Sequence, residues 1–174
     1  MAEKFYPIKA YFSPGRDPQQ NICGFVDRLE KTLDAAVFSF TDSVIKDAVK
    51  RALNRKVRIR LVVDAEQASG QAMAKVLEEL KAAGVDIRAD RESGFMHDKY
   101  AIGDGKAVIT GSYNWTVRAQ QRNRENLVVI RKKSTKKNWL VDFVLTPYKQ
   151  NFEEIWAKNA PPVVVASPPT PPPS

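Results

Sequence analysis

The stretch Met96-His97-Asp98-Lys99-Tyr100-Ala101-Ile102-Gly103-Asp104-Gly105-Lys106-Ala107-Val108-Ile109-Thr110-Gly111-Ser112-Tyr113-Asn114 contains the only histidine among 174 residues. Two apolar runs, Tyr100 to Ile102 and Ala107 to Thr110, flank Asp104-Gly105. An Asp-Gly pair between strand-like runs signals a two-residue hairpin turn. With residues 104 and 105 as the loop, register follows by counting outward: Gly103 faces Lys106, Lys99 faces Thr110 and His97 faces Ser112. Alternation then places His97, Lys99, Thr110 and Ser112 on one face, with His97 and Lys99 roughly 6.6 Å apart and Asn114 just past the strand.

An imidazole, an ammonium, a hydroxyl and a carboxamide around one point suit a phosphate. The ammonium and carboxamide donate to non-bridging oxygens as charge develops on them, and the imidazole attacks phosphorus or moves a proton. The pattern His97-x-Lys99, Asp104 after four further residues, then Gly111-Ser112-x-Asn114 resembles the signature of the phospholipase D superfamily. The resemblance implies an α/β sandwich over nearly all of residues 5 to 158. It also implies phosphodiester cleavage by two in-line displacements through a phosphohistidine, with no required metal or other cofactor. By motif position His97 is the nucleophile, Lys99 and Asn114 hold the equatorial oxygens, and Ser112 is an auxiliary donor. Small members of the family place an acid near the position of Glu125, where it accepts a hydrogen bond from the nucleophilic ring. An acid between Arg124 and Asn126 is equally read as an ordinary salt-bridge partner. Asp104, at the hairpin tip, reads as a turn residue that hydrogen-bonds backbone, and Gly111 as a structural member of the motif.

Such a mechanism uses a second, protonated histidine to give a proton to the leaving oxygen. This chain has none. The expectation is therefore a twofold-symmetric homodimer whose hairpins meet across the axis and share one active site.

Composition sets the remaining limits. A single cysteine, Cys23, excludes an intrachain disulfide and reads as a small apolar residue near a helix start. One Cys and one His do not make a zinc site of the usual kind. No run of about 18 apolar residues exists to span a bilayer, and the N-terminus lacks an apolar signal core. The chain either acts in the cytoplasm or has lost a signal that sent it to the periplasm or outside. The net charge of +8 favours polyanionic partners, nucleic acid before an anionic membrane.

Along the chain, Ile8 to Phe12 reads as a strand. Ile22, Phe25, Val26, Leu29 and Leu33 predict a helix over roughly 21 to 35, followed by a strand from Ala36 to Phe40. Thr41 or Asp42 caps a second helix, Val57 to Val63 is a strand ending at Asp64, and a third helix is stopped by Gly84 before a strand at 85–88. Strands alternating with helices predict an α/β fold: a mixed, mostly parallel sheet with helices on both faces. Leu127 to Ile130 is a further strand. Thr146-Pro147 reads as the N-cap and first position of a final helix, with 139–145 open between strand and helix. Two segments result: a phosphodiesterase domain over 1–159 and a proline-rich tail or linker over 160–174, where seven of fifteen residues are proline.

Between Thr116 and Lys137 lie Arg118, Arg122, Arg124, Arg131, Lys132, Lys133, Lys136 and Lys137 against one acid, Glu125, which is +7 of the chain's +8. Localised positive charge after a phosphate site favours binding of a nucleic-acid backbone, with Arg118, Arg122, Arg124, Lys132 and Lys133 as the contacts. Tyr113 and Trp115 are read either as base-stacking platforms or as buried aromatics beneath the site. Three functions fit. The first is a metal-independent endonuclease on DNA or RNA. The second is a phospholipase D or cardiolipin hydrolase acting on lipid headgroups, and the third a non-catalytic nucleic-acid-binding module.

Overall fold

The computed structural model describes residues 8–15, 17–92, 94–132 and 139–159. The tail from residue 160 and Lys133, Lys136 and Lys137 lie outside them. Strands β1 (Ile8–Ser13), β2 (Thr32–Val37), β3 (Arg58–Asp64), β4 (Asp86–Asp90), β5 (Lys99–Gly103), β6 (Ala107–Gly111) and β7 (Glu125–Arg131) form one sheet in the order β1-β7-β6-β5-β2-β3-β4. The helices are α1 (Pro18–Asp27), α2 (Ser43–Asn54), α3 (Ala65–Ser69), α4 (Gln71–Ala83), α5 (Val117–Gln121) and α6 (Trp139–Lys158).

The sheet is mixed but mostly antiparallel, which corrects the mostly parallel expectation. Only β2 with β3 and β3 with β4 run parallel; the other four pairings are antiparallel. Strand and helix do alternate at the start of the chain, but β1 crosses to the far edge and pairs with β7 instead of lying beside β2. Periodicity reports the alternation and not the edge on which a strand lands.

Alternating side chains build two cores. Ala35, Leu61, Val63 and Ile109 pack with Ile22, Val26, Ile45, Val49 and Leu80 from α1, α2 and α4. On the other face Ala36, Val62, Tyr100, Ile102 and Val108 pack with Val141, Leu145, Phe152 and Trp156 of α6. The expectation of a helix starting at Thr146-Pro147 is corrected here, because α6 runs through Pro147. An interior proline costs about 3 kcal/mol. Burial of Val141 and Leu145, both 1% exposed, contributes about 1.5–3 kcal/mol for each side chain and outweighs it. Arg60 fastens the helix to the sheet, pairing with Asp34 at 2.7 Å and Glu153 at 2.6 Å while stacking over Phe152 and Trp156.

Helix α1 ends at Asp27, not near 35, and Leu33 belongs to β2. The Asp104 carboxylate accepts the backbone N–H groups of Glu30, Lys31 and Thr32 at 3.1, 2.8 and 2.9 Å. Those donors would otherwise have continued the helix. Leu33 instead pairs with Gly103, where a Cβ would lie 2.5 Å from Leu29 and 2.7 Å from Phe25.

The hairpin forms, with a register one residue from that expected. Asp104 (φ 49°) and Gly105 (φ 60°) make the tight turn, closed by the Lys106 N–H donating to the Gly103 carbonyl at 2.9 Å. The ladder then pairs Gly103 with Ala107 and Tyr100 with Thr110, so the loop holds three residues. Neighbours on both sides fix this arrangement: the Asp104 N–H donates to Thr32 and the Lys106 carbonyl accepts from Lys132. Thr110 consequently leaves the face expected for it and turns to α6, where the Tyr148 hydroxyl donates to it at 3.1 Å.

Burial works against ionisation of Asp104, yet its three backbone donors and Lys106 hold the carboxyl below the usual range. Its folded value lies below its unfolded one, so its contribution is complete above about pH 4 and lost as pH falls through the folded value. Asp104→Ala is expected to lower unfolding stability at pH 7 by about 2 kcal/mol and to flatten the acid limb. Urea titrations across pH 2–7 measure both.

Candidate active site

Antiparallel pairing brings the start of β5, the end of β6 and the start of β7 to one end of the sheet. There His97, Lys99, Gly111, Ser112, Asn114 and Glu125 line a single cavity of about 330 Å³. A second cavity, about 320 Å³, shares His97, Lys99 and Gly111 and continues to Asp98, Thr110, Pro147, Tyr148 and Asn151.

The His97 side chain is exposed, its ring centroid 4.6 Å from that of Phe38 at an interplanar angle of 65°. Lys99 is buried, with Nζ donating to the His97 carbonyl at 2.6 Å and lying 4.9 Å from the Phe38 ring. Burial lowers the Lys99 pKa; Asp98 and Glu125 oppose this without restoring the ordinary value. Desolvation raises Asp98 in turn, against the pull of Lys99.

On the other wall, the Ser112 N–H donates to Asn126 Oδ1 at 2.7 Å and the Asn126 N–H to Ser112 Oγ at 3.0 Å. Ser112 Oγ donates to Glu125 Oε2, whose other oxygen accepts from Asn123 Nδ2 at 2.9 Å. Glu125 therefore shares the cavity with His97 while its hydrogen bonds come from Ser112 and Asn123. Gly111 permits this closeness, since a Cβ there would stand 2.2 Å from the Asn126 carbonyl oxygen. Asn114 is held by its neighbour. The Trp115 N–H donates to Ser39, its carbonyl accepts from Thr41 and Asp42, and its ring packs edge-on against Phe40. Asn114 Oδ1 is buried without a hydrogen-bond partner among the described residues.

Asp104 stands apart, at the far end of β5, about 17 Å along the strand from Lys99, with its carboxylate on backbone N–H groups. The basic residues divide. Exposed Arg118 lies in α5, while exposed Arg122 and Arg124 precede Glu125 at the cavity end. Lys132 follows the opposite end of β7, about 23 Å along the strand from Glu125, and is ion-paired with Asp142. Lys133 lies outside the described residues. Tyr113 and Trp115, 1% and 2% exposed, are buried beneath the site and present no stacking face. Phe38, Tyr148 and Asn151 were not legible as site residues. Their sequence signals are those of a strand end and a packed helix, and only the long-range packing of α6 brings the latter two to Lys99.

A sequence profile for the family described as cardiolipin synthase, PLD-like domain, matches residues 22–156. The chain is 35% identical over 134 residues to the mitochondrial cardiolipin hydrolase of Xenopus tropicalis, covering 77% of this chain and 59% of that protein. It is 31% identical over 137 residues to the phospholipase D of Rickettsia felis, covering 79% and 68%. It thus spans about six-tenths of the length of the cardiolipin hydrolase it matches. Among solved structures, Nuc of Salmonella typhimurium, a phospholipase D family member, superposes with a TM-score of 0.81 at 24% identity, covering 88% of this chain and 96% of that one.

Gly111→Ala is expected to push β6 from Asn126, costing about 1–3 kcal/mol and opening the Ser112–Asn126 link. Denaturant unfolding and amide exchange at Ser112 and Asn126 test it.

Proposed function

The chain belongs to the phospholipase D-like family, and on that premise we propose that it is a metal-independent endonuclease, cutting phosphodiesters of DNA or RNA at a site shared between two copies. The observation that carries this reading is the gathering of His97, Lys99, Ser112, Asn114 and Glu125 around one cavity. Exposed Arg118, Arg122 and Arg124 lie close by in sequence and supply charge for a polyanionic backbone.

His97 attacks phosphorus; the nitrogen–phosphorus bond forms as the bond to the leaving oxygen breaks. Lys99 and Asn114 donate to the equatorial oxygens, where charge accumulates. The imidazole of a second copy, protonated, gives its proton to the leaving oxygen. It then takes a proton from the water that attacks the phosphohistidine, returning His97 and releasing a phosphomonoester end. Ser112, bonded to Glu125, sets the position of that acid in the cavity, and its single O–H acts as an auxiliary donor to phosphate only on leaving Glu125. Buried Lys99 loses its charge at lower pH than a free lysine, so the alkaline fall in activity sets in earlier than an ordinary lysine would give.

A second reading, hydrolysis of phospholipid headgroups, is favoured by the 35% identity to a protein named as a cardiolipin hydrolase, and it uses the same residues. The test offers labelled DNA, RNA and cardiolipin vesicles to the pure protein in excess EDTA. Nucleic acid is expected to be cleaved, with an optimum in pH. His97→Ala should lose at least about 10³-fold and Lys99→Ala about 10²–10³-fold. Cleavage abolished by EDTA, or confined to lipid, would overturn the endonuclease reading. A trapped phosphohistidine excludes a purely binding role.

A further inference from the structure

Between α6 and the hairpin strands β5 and β6 lies the cavity of about 320 Å³ that shares His97 and Lys99 with the phosphate site. Its far wall is set in advance by hydrogen bonds. The Tyr100 hydroxyl donates to Asn151 Oδ1 at 2.6 Å, and the Tyr148 hydroxyl donates to Thr110 Oγ1 at 3.1 Å. The two tyrosine rings meet edge-on, their centroids 5.0 Å apart. With Oδ1 engaged, Asn151 presents its Nδ2 donors, which have no partner among the described residues. The same cavity is lined by half-buried Asp98, whose carboxylate takes no hydrogen bond and forms no ion pair among the described residues. It stands near enough to Tyr100 to add to the burial that raises that hydroxyl's pKa. A carboxylate drawn out of water is costly unless something donates to it.

We propose that this cavity reads the sugar of the substrate: a ribose 2′-hydroxyl donates to Asp98 and accepts from Asn151, so that the chain prefers RNA to DNA. The proposal rests on the endonuclease reading above and narrows its substrate. A hydroxyl meets both demands at once, being donor and acceptor. In RNA it is carried by the carbon next to the one bonded to the 3′ ester oxygen. A sugar whose phosphate rests on Lys99 therefore brings it to the cavity that Lys99 also lines. Charge keeps the backbone itself out, because a second phosphate there would meet the Asp98 carboxylate. Deoxyribose leaves Asp98 and Asn151 unmet, and the 2′-hydroxyl is the group by which a protein separates the two nucleic acids.

The full chain is offered, in excess EDTA, single-stranded DNA carrying one ribonucleotide, with all-DNA and single 2′-O-methyl strands of the same sequence for comparison. Cleavage by the wild type is expected to concentrate at the ribonucleotide by about 10–100-fold, the worth of a hydrogen bond to a charged group, and to vanish in His97→Ala. The 2′-O-methyl group, which accepts but cannot donate, should not restore it. Asp98→Ala should bring the ribo-to-deoxy ratio near one, and Asp98→Asn and Asn151→Ala should lower it part-way, with circular dichroism confirming the fold of each. An equal fall at ribo and deoxy positions would mean that Asp98 supports only the fold or the chemistry, and it overturns the subsite. So does a preference that follows the base and not the sugar, or a wild type indifferent to the ribonucleotide. A protein that cuts cardiolipin vesicles and neither nucleic acid overturns the endonuclease reading itself.

Discussion

A single carboxylate holds the frame. Asp104, at the tip of the β5–β6 hairpin, accepts three consecutive backbone N–H groups from the segment between α1 and β2. That clamp ends α1, fixes where β2 begins, and sets the antiparallel register of β2 against β5. The same register places Lys99 at the cavity end of the sheet. Asp104 reaches the chemistry only through the strand that connects them, which accounts for a motif residue standing so far from the histidine in space. Its bonds are to backbone, so they constrain chain geometry whatever side chains residues 30 to 32 carry.

How much of this was legible in the sequence follows from which forces are local. The Asp104-Gly105 turn, the Asp42 cap and the Gly84 stop are written in neighbouring residues and appear where expected. The hairpin register failed by one because Lys106 is held by Lys132, 26 residues later in the chain and just past the end of β7. The α1 boundary failed because Leu33 keeps helical spacing with Leu29 while Asp104 removes the donors that helix would need. The parallel sheet failed because β1 crosses to the opposite edge, and the start of α6 because tertiary burial outweighs Pro147. Each miss traces to a contact distant in sequence and overriding a sound local preference.

The cavity follows the same division. His97, Lys99, Ser112 and Asn114 were found from the hairpin spacing together with the resemblance of their motif to the phospholipase D signature, and the structure brings them together with Glu125. It also separates Lys132 from Arg122 and Arg124, a division no charge count reveals, because a strand carries its two ends to opposite sides of the sheet. Ser112 and Asn126 exchange reciprocal bonds across β6 and β7. Glu125, which shares the cavity with His97, is therefore positioned by strand ends and not by a free loop, a rigid mount for the site.

Among the described residues, α6 is the one helix packed on the second face of the sheet, and it follows every strand in chain order. On a ribosome, the strands therefore emerge before the helix that shields Tyr100, Ile102, Val108 and Ile130 from water. A nascent chain halted ahead of α6 presents a half-dressed sheet, the kind of surface that recruits chaperones or sticks to its neighbours. Arg60 and Arg88, stacked on Phe152 and Trp156 at the far end of that helix, are thus the fasteners that close the molecule once translation has passed them.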